Sequence, residues 1–333
     1  MTHAVHAAGL VKAFGDLRAV DAIDLDVRQG EVFGVLGPNG AGKTTMLKML
    51  ATLLPIDAGS AEIFGVDVAR EPHRVRQLIG VTGQYASVDE NLTATENLRL
   101  FARLQGLSSA AARATAATLL EQFGLHAAAD KQIKQFSGGM RRRLDLAASL
   151  ITRPPLIFLD EPTTGLDPRT RGQMWDTIRG LVGDGCTVLL TTQYLAEADQ
   201  LADRIAVIDH GRKVALGTPD ELKTSVGDST LQLTLAADAD PAQAVEAVRR
   251  VLGAEPQLTP ESGRMNVPLD LADRAADVLI ELRQTGVAIE SVSVAKPTLD
   301  EVFLALTGHD TGEREGEPPP AAADDDHVLE VTR

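Results

Sequence analysis

The sequence predicts an α/β protein: a mostly parallel sheet covered by helices, with a second, smaller α+β domain behind it. Apolar runs at residues 31–36, 156–159 and 187–190 each end in a glycine-rich or polar turn and lead toward a helical pattern. Strand–helix alternation of this kind builds a parallel sheet with helices on its faces. A helical stretch at 91–151 interrupts the alternation, and beyond residue 226 the pattern changes to strands and helices in a different order.

The elements follow in turn. Glu31-Val32-Phe33-Gly34-Val35-Leu36 is short and apolar, as a buried strand is, and 44–53 reads as the helix after its turn. Ala, Leu, Arg and Gln dominate from Asn97 to Phe123, which marks 91–151 as a helical subdomain set into the sheet domain. Leu156–Leu159 and Thr187–Leu190 are the next buried strands, with helices expected over 170–182 and 195–202. Residues 204–216 read as two short strands around Asp209-His210-Gly211. Leu231, Leu233 and Leu235 then alternate with polar residues, a period of two. Asp240-Pro241 is an N-cap followed by proline at the first helical position, and that helix runs to about Gly253. Two strands around Glu261-Ser262-Gly263, a helix over 272–285 and a strand over 287–294 complete a β-α-β-β-α-β order, the ferredoxin-like split unit. Thr298-Leu299-Asp300-Glu301 is a capping box opening a last short helix. The expected division is 1–220, 226–308 and a tail, 309–333.

Charge and composition narrow the function. Lys plus Arg number 32 and Asp plus Glu 47, a formal charge of −15. This argues against a nucleic-acid partner held by its phosphates, which needs a basic face. The tail holds eight acidic and two basic side chains, with Pro318-Pro319-Pro320 and Asp324-Asp325-Asp326 inside it; it reads as solvated linker. Cys186 is the single cysteine, so no intrachain disulfide is expected. No stretch approaches the ~18 apolar residues that cross a bilayer, and Met1-Thr2-His3-Ala4 is not expected to open a signal peptide. His3, His6, His73, His126, His210, His309 and His327 show no metal-ligand spacing.

Three segments carry chemistry. Gly37-Pro38-Asn39-Gly40-Ala41-Gly42-Lys43-Thr44 fits G-x-x-x-x-G-K-[ST] and lies between an expected strand and helix. Bare glycyl N–H groups and a helix N-terminus suit a phosphate chain. Lys43 would reach the β- and γ-phosphates and Thr44 would offer its hydroxyl to Mg²⁺. In Leu156-Ile157-Phe158-Leu159-Asp160-Glu161, Asp160 ends a buried strand, the edge where open α/β sheets bind ligands. Asp160 would hold the metal and Glu161 would act as general base toward water; a helix N-cap is the competing reading of Asp160. Ser137-Gly138-Gly139-Met140 leads into Arg141-Arg142-Arg143, three cations in a first helical turn against the helix dipole. That conflict suggests an anion or an acidic partner at the helix end, with a plain Ser N-cap and surface arginines as the competing reading.

Together these segments resemble ATP-binding-cassette ATPases, the nucleotide-binding subunits of transporters, over about residues 4–220. Lys43 to Gln84 is 41 residues, Gln84 to Ser137 is 53, Ser137 to Asp160 is 23 and Asp160 to Gln193 is 33, in the family's order. Phe136-Ser137-Gly138-Gly139-Met140 sits at the family's signature, with Phe and Met departing from Leu and Gln at its ends. By the same resemblance Phe14 is the aromatic that stacks on adenine, an ordinary core aromatic being the alternative. Gln84 senses metal and attacking water. Asp167, in Thr164-Gly165-Leu166-Asp167, meets the partner subunit, with a plain polar turn as its alternative. Gln193 occupies a switch position where the family usually has histidine. An amide can donate to a γ-phosphate but takes up no proton near neutral pH, so ATP binding with slower hydrolysis is expected. Thr191-Thr192-Gln193-Tyr194-Leu195, the stretch Gly83–Leu92 and the ending Thr298–Leu304 are similar to the daunorubicin-resistance subfamily.

The resemblance implies a P-loop ABC cassette that binds ATP with Mg²⁺ and works as a head-to-tail homodimer. Gly37–Thr45 of one copy, Thr45 included, would hold nucleotide that Ser137–Gly139 of the other copy caps. A membrane permease on a separate chain would dock near residues 85–97, where Asp89 and Glu90 suit a basic coupling helix. The expected place is the cytoplasmic face of the membrane, reached through that permease, and the expected cargo is a hydrophobic drug or lipid-like compound leaving the cell. Two other readings stay open: a soluble cassette ATPase outside transport, and a nucleotide-binding regulatory module of slow turnover.

Overall fold

The computed structural model describes residues 3–83, 88–226, 229–236, 239–259, 263–269, 273–295 and 297–307. The chain opens with two long antiparallel strands, β1 (His3–Phe14) and β2 (Leu17–Arg28). Sequence reading missed both, because β-bulges break the register four times along the pair and with it the period of two. Then come β3 (Val32–Leu36), α1 (Lys43–Leu50), β4 (Ala58–Ile63), β5 (Val66–Asp67), α2 (Pro72–Leu78) and β6 (Ile79–Thr82). Strands β4 and β5 join the first two in an antiparallel sheet of order β2-β1-β4-β5.

The stretch expected to be helical contains α3 (Ala94–Leu104), α4 (Ser109–Gln122) and α5 (Gly138–Ser149). Between α4 and α5 the chain makes two short 3₁₀ turns rather than α-helix. Next are β7 (Leu156–Asp160), α6 (Pro168–Gly183), β8 (Thr187–Thr192), α7 (Leu195–Leu201), β9 (Arg204–Asp209), β10 (Arg212–Gly217) and α8 (Pro219–Val226). The central sheet has the order β10-β9-β3-β8-β7-β6, parallel except for β10.

Every residue of β3, β7 and β8 is buried, which is why these strands read as unbroken apolar runs. Phe33, Val35, Phe158 and Leu189 pack on one face with Met46 and Met49 of α1. Ile157, Leu159, Val188 and Leu190 pack on the other with Leu144 of α5 and Ile178 of α6.

The last part of the chain is β11 (Ser229–Leu235), α9 (Pro241–Leu252), β12 (Gln257–Thr259), β13 (Arg264–Leu269), α10 (Arg274–Gln284), β14 (Ile289–Ala295) and α11 (Leu299–Thr307). Its sheet, β12-β13-β11-β14, is antiparallel throughout, the arrangement of a ferredoxin-like unit. Leu231, Leu233 and Leu235 face Ala244, Val248, Val278 and Leu282 of the two covering helices. The Asp240 carboxylate accepts from the Ala242 N–H at 2.9 Å, and Thr298 and Glu301 cap each other as a box. Helix α11 leaves this unit. Leu299, Val302 and Phe303 pack with Leu36 of β3, Leu195 of α7 and Leu222 of α8.

Candidate active site

Strands β3, β8 and β7 are neighbours, and their carboxyl ends form one edge of the central sheet. The loop 37–42 leaves β3 at that edge and turns into α1. The Gly37 N–H donates to Thr192 O at the end of β8, at 3.3 Å. Gly42, at φ +102°, forms the N-cap of α1, and a Cβ there would lie 2.1 Å from the Ala19 carbonyl oxygen. Only glycine fits that turn. Asn39 and Gly40 are exposed at the tip, Ala41 is buried beneath it, and Thr45 is half-buried on the first turn of α1.

Four of the expected residues converge here. Lys43 is 4% exposed; its ammonium donates to Gly37 O at 2.8 Å and Pro38 O at 3.0 Å, and lies 3.6 Å from Glu161 Oε1. Burial pushes the Lys43 ammonium below its ordinary pKa, while Glu161 and Asp160 oppose that shift. The Thr44 hydroxyl donates to Asp160 Oδ1 at 2.9 Å, and the Thr191 hydroxyl donates to the same oxygen at 2.6 Å. Asp160 is the last residue of β7, not a helix N-cap, so its competing reading falls. Glu161 lies in the left-handed region at φ +47°, a conformation rare for a side chain of this kind and typical of sites that aim a functional group. Its N–H donates to Thr191 O at 3.1 Å, and its Oε2 accepts from the Thr164 hydroxyl at 3.3 Å. Two carboxylates, a lysine and a threonine hydroxyl thus face one glycine-rich loop, a donor set that fits a magnesium–triphosphate group.

Other expected residues lie on separate elements. Phe14 ends β1 and is 49% exposed, with the Lys12 ammonium 5.6 Å from its ring centroid, so it is not a core aromatic. Ser137 caps α5, accepting from the Met140 N–H at 3.3 Å, and Gly138 and Gly139 begin that helix. A Cβ on Gly139 would come 2.2 Å from Thr170 Cγ2, so a side chain there would require Thr170 of α6 to shift. Asp167 caps α6; the Thr170 hydroxyl and N–H hold its carboxyl below the usual range. Gln193 is half-buried and follows β8 at the sheet edge. Gln84 lies outside the described residues. Gly138, Arg142, Glu161 and Thr164 line a common cleft of about 550 Å³.

The three arginines each find partners within the chain, so their placement in the first turn of α5 does not by itself call for an anion. Arg141 pairs with Glu90 at 2.6 Å, and Arg143 donates to Phe123 O at 3.1 Å. Arg142 donates to Gly83 O, Pro162 O, Asp160 O and Glu161 O. The carbonyls of Asp160, Glu161 and Pro162 lie at and just past the end of β7, and that of Gly83 lies just past the end of β6. Arg142 therefore holds the backbone of the Asp160-Glu161 pair, a role hidden in a run of three like residues.

Glu197 on α7 was not singled out in the sequence either. It is 1% exposed and accepts from the Thr163 hydroxyl and the Trp175 indole. Burial raises its pKa against hydrogen bonds from Thr192, Thr163 and Trp175 and the nearby Arg171 charge. The folded state therefore binds this proton more tightly than the unfolded chain does. The stability it contributes is complete below the ordinary glutamate value of the unfolded chain and is lost as pH rises through the raised folded value. Glu197→Gln, which cannot ionise, is expected to gain stability over the wild type at pH 7.5. That gain should shrink toward pH 5 in urea titrations.

Comparison with known proteins places these features together. The ABC transporter family matches residues 20–164, and the C-terminal domain of DrrA1-3-like ATP-binding proteins matches 217–307. The daunorubicin/doxorubicin resistance ATP-binding protein DrrA of Streptomyces peucetius is 54% identical, covering 95% of this chain and 96% of its own. The daunorubicin resistance ATP-binding protein DrrA2 of Streptomyces coeruleorubidus is 51% identical over 93% and 96%. Among solved structures, a dimeric ATP-binding cassette in a post-hydrolysis state with ADP and Pi superposes with a TM-score of 0.59 at 27% identity, covering 64% of this chain and 98% of that one. With the P-loop and the Asp-Glu strand end inside one matched stretch and the ferredoxin-like unit inside the other, the chain belongs to the ATP-binding subunits of ABC transporters, enzymes that hydrolyse ATP.

Proposed function

We propose that the protein is the ATP-hydrolysing subunit of a drug or lipid exporter, working as a head-to-tail homodimer beneath a permease carried on another chain. The observation that carries this reading is the convergence of Lys43, Thr44, Asp160 and Glu161 on the loop 37–42. The daunorubicin and doxorubicin resistance of the named relatives supports a hydrophobic drug as cargo. Among the described residues no helix is long and apolar enough to cross a membrane, and the relatives' names as ATP-binding proteins of drug resistance support a permease on a separate chain. The assembly would sit on the cytoplasmic face. The division into a cassette of 1–220, an accessory domain of 226–308 and a tail of 309–333 belongs to the same reading, with α11 at the end of the accessory stretch packed back on the cassette.

In this mechanism phosphate oxygens replace Gly37 O and Pro38 O as partners of the Lys43 ammonium. Phe14, exposed at the end of β1, offers its face to the adenine. Thr44, Asp160 and Gln84 would hold Mg²⁺, whose charge neutralises the β- and γ-phosphate oxygens. Glu161 takes a proton from a water molecule as its oxygen bonds to the γ-phosphorus, while the bond to the β-γ bridging oxygen breaks and ADP leaves with that electron pair. Ser137, Gly138 and Gly139 of the second copy face the same phosphate, and Asp167 meets that copy at the seam. Gln193 donates to the γ-phosphate without taking up a proton.

Lys43→Ala tests the reading. Its ammonium is the nearest fixed cation to the phosphates, and loss of such a group is expected to cut Mg-ATP turnover at least about 100-fold and to weaken nucleotide binding. Phosphate release and equilibrium binding of Mg-ATP measure both. Unchanged turnover would remove the P-loop from the chemistry.

A further inference from the structure

Glu197 is the most buried carboxylate among the described residues, and the reaction above gives it no part. One oxygen, Oε1, accepts from the Thr163 hydroxyl at 2.8 Å and the Trp175 indole N–H at 3.3 Å. Thr163 lies in the turn that begins at Glu161 and ends at Asp167, the cap of α6. Trp175 is two turns into α6. Glu197 stands on the first turn of α7, four residues after Gln193, and its own N–H donates to Tyr194 O at 3.2 Å. Arg171 of α6 covers the Tyr194 ring, its guanidinium carbon 5.4 Å from the centroid. Three segments therefore meet at one side chain: the turn after the Asp-Glu pair, helix α6 and the segment after β8.

An apolar side chain could fill this space without the cost of burying a carboxyl. What the carboxyl adds is direction, because an acceptor fixes the O–H of one element and the N–H of another within narrow limits of distance and angle. We propose that Glu197 is a positioning residue that ties the Gln193 segment to the Thr163–Asp167 turn, so that the partner-facing turn and the phosphate-facing amide move as one body. The inference rests on the function proposed above, since Asp167 and Gln193 act only if two copies enclose a nucleotide. Displacement of Asp167 by the second copy would then be carried through Thr163 and Glu197 to Gln193, and closure of the dimer would align the switch.

The test uses the purified full chain. Glu197→Ala is expected to lower kcat by about 10- to 100-fold, the usual penalty for a misplaced reacting group, with Mg-ATP affinity within about threefold. Thr163→Val removes the same hydrogen bond from the other side with little change of shape, and should lower kcat similarly. The double variant should be no slower than Glu197→Ala alone, because that substitution already removes the bond from Thr163 along with the one from Trp175. Glu197→Gln keeps the acceptor and should restore kcat to within about threefold of wild type. Full kcat in Glu197→Ala overturns the inference. So does a Glu197→Gln variant as slow as the alanine, or additive losses in the double variant, either of which would mark a packing role alone. If wild-type protein and Lys43→Ala show the same turnover, the site reading fails first. If those two differ as expected while the Glu197 variants stay fast, only the positioning role falls.

Discussion

Glu161→Gln is expected to slow ATP turnover at least about 100-fold, the range for removal of a general base, while Mg-ATP still binds. The amide keeps the side chain's shape and can still accept from the Thr164 hydroxyl. It cannot take a proton from water. Its substitution also removes a negative charge 3.6 Å from the Lys43 ammonium, leaving Asp160 as the remaining carboxylate that sustains the lysine's charge. Binding by Lys43, Thr44 and the loop amides persists, so the nucleotide stays intact and the two copies stay together. Gel filtration with Mg-ATP should show a stable dimer for the variant, and a single-turnover assay should show retained ATP. Wild-type turnover would place the proton acceptor elsewhere.

Phe303→Ala should have the largest effect on stability, about 3–5 kcal/mol, as for other buried phenylalanines. Phe303 belongs to α11, near the end of the described chain, yet it is 2% exposed and shares a core with Leu36, Leu195 and Leu222. The loss should therefore appear in the unfolding of the nucleotide-binding part. Trp175, the single tryptophan, lies in α6 and reports that transition by its fluorescence in urea. If its midpoint does not move, α11 does not contribute to that core.

How legible each feature was depended on how local its cause is. The P-loop and the Asp-Glu strand end depend on neighbours in sequence, and both appear at the sheet edge where the apolar runs point. Caps such as Asp240 and Thr298 are equally local, and their side chains make the bonds their positions suggest. The bulged strands β1 and β2 were not legible, because their alternation is broken by register shifts that only the partner strand reveals. Arg142 and Glu197 were hidden for a related reason. The carbonyls Arg142 holds lie 18 to 59 residues away, and Thr163 and Trp175 lie 34 and 22 residues from Glu197, so sequence alone does not show these contacts. The strain at Glu161 was likewise invisible, since a strand end followed by proline suggests a turn but not its hand.

Helices α8 and α11 pack side by side on the nucleotide-binding part, one entering and one leaving the ferredoxin-like unit. That unit is therefore an inset, spliced between two helices that remain stitched to the main body. Cutting the chain after α8 would tear out a seam as well as an appendage and lay bare Leu36, Leu195 and Leu222. Excising only the inset, with a short bridge from α8 to α11, would keep the seam closed, and a differently shaped module could be sewn into the same gap.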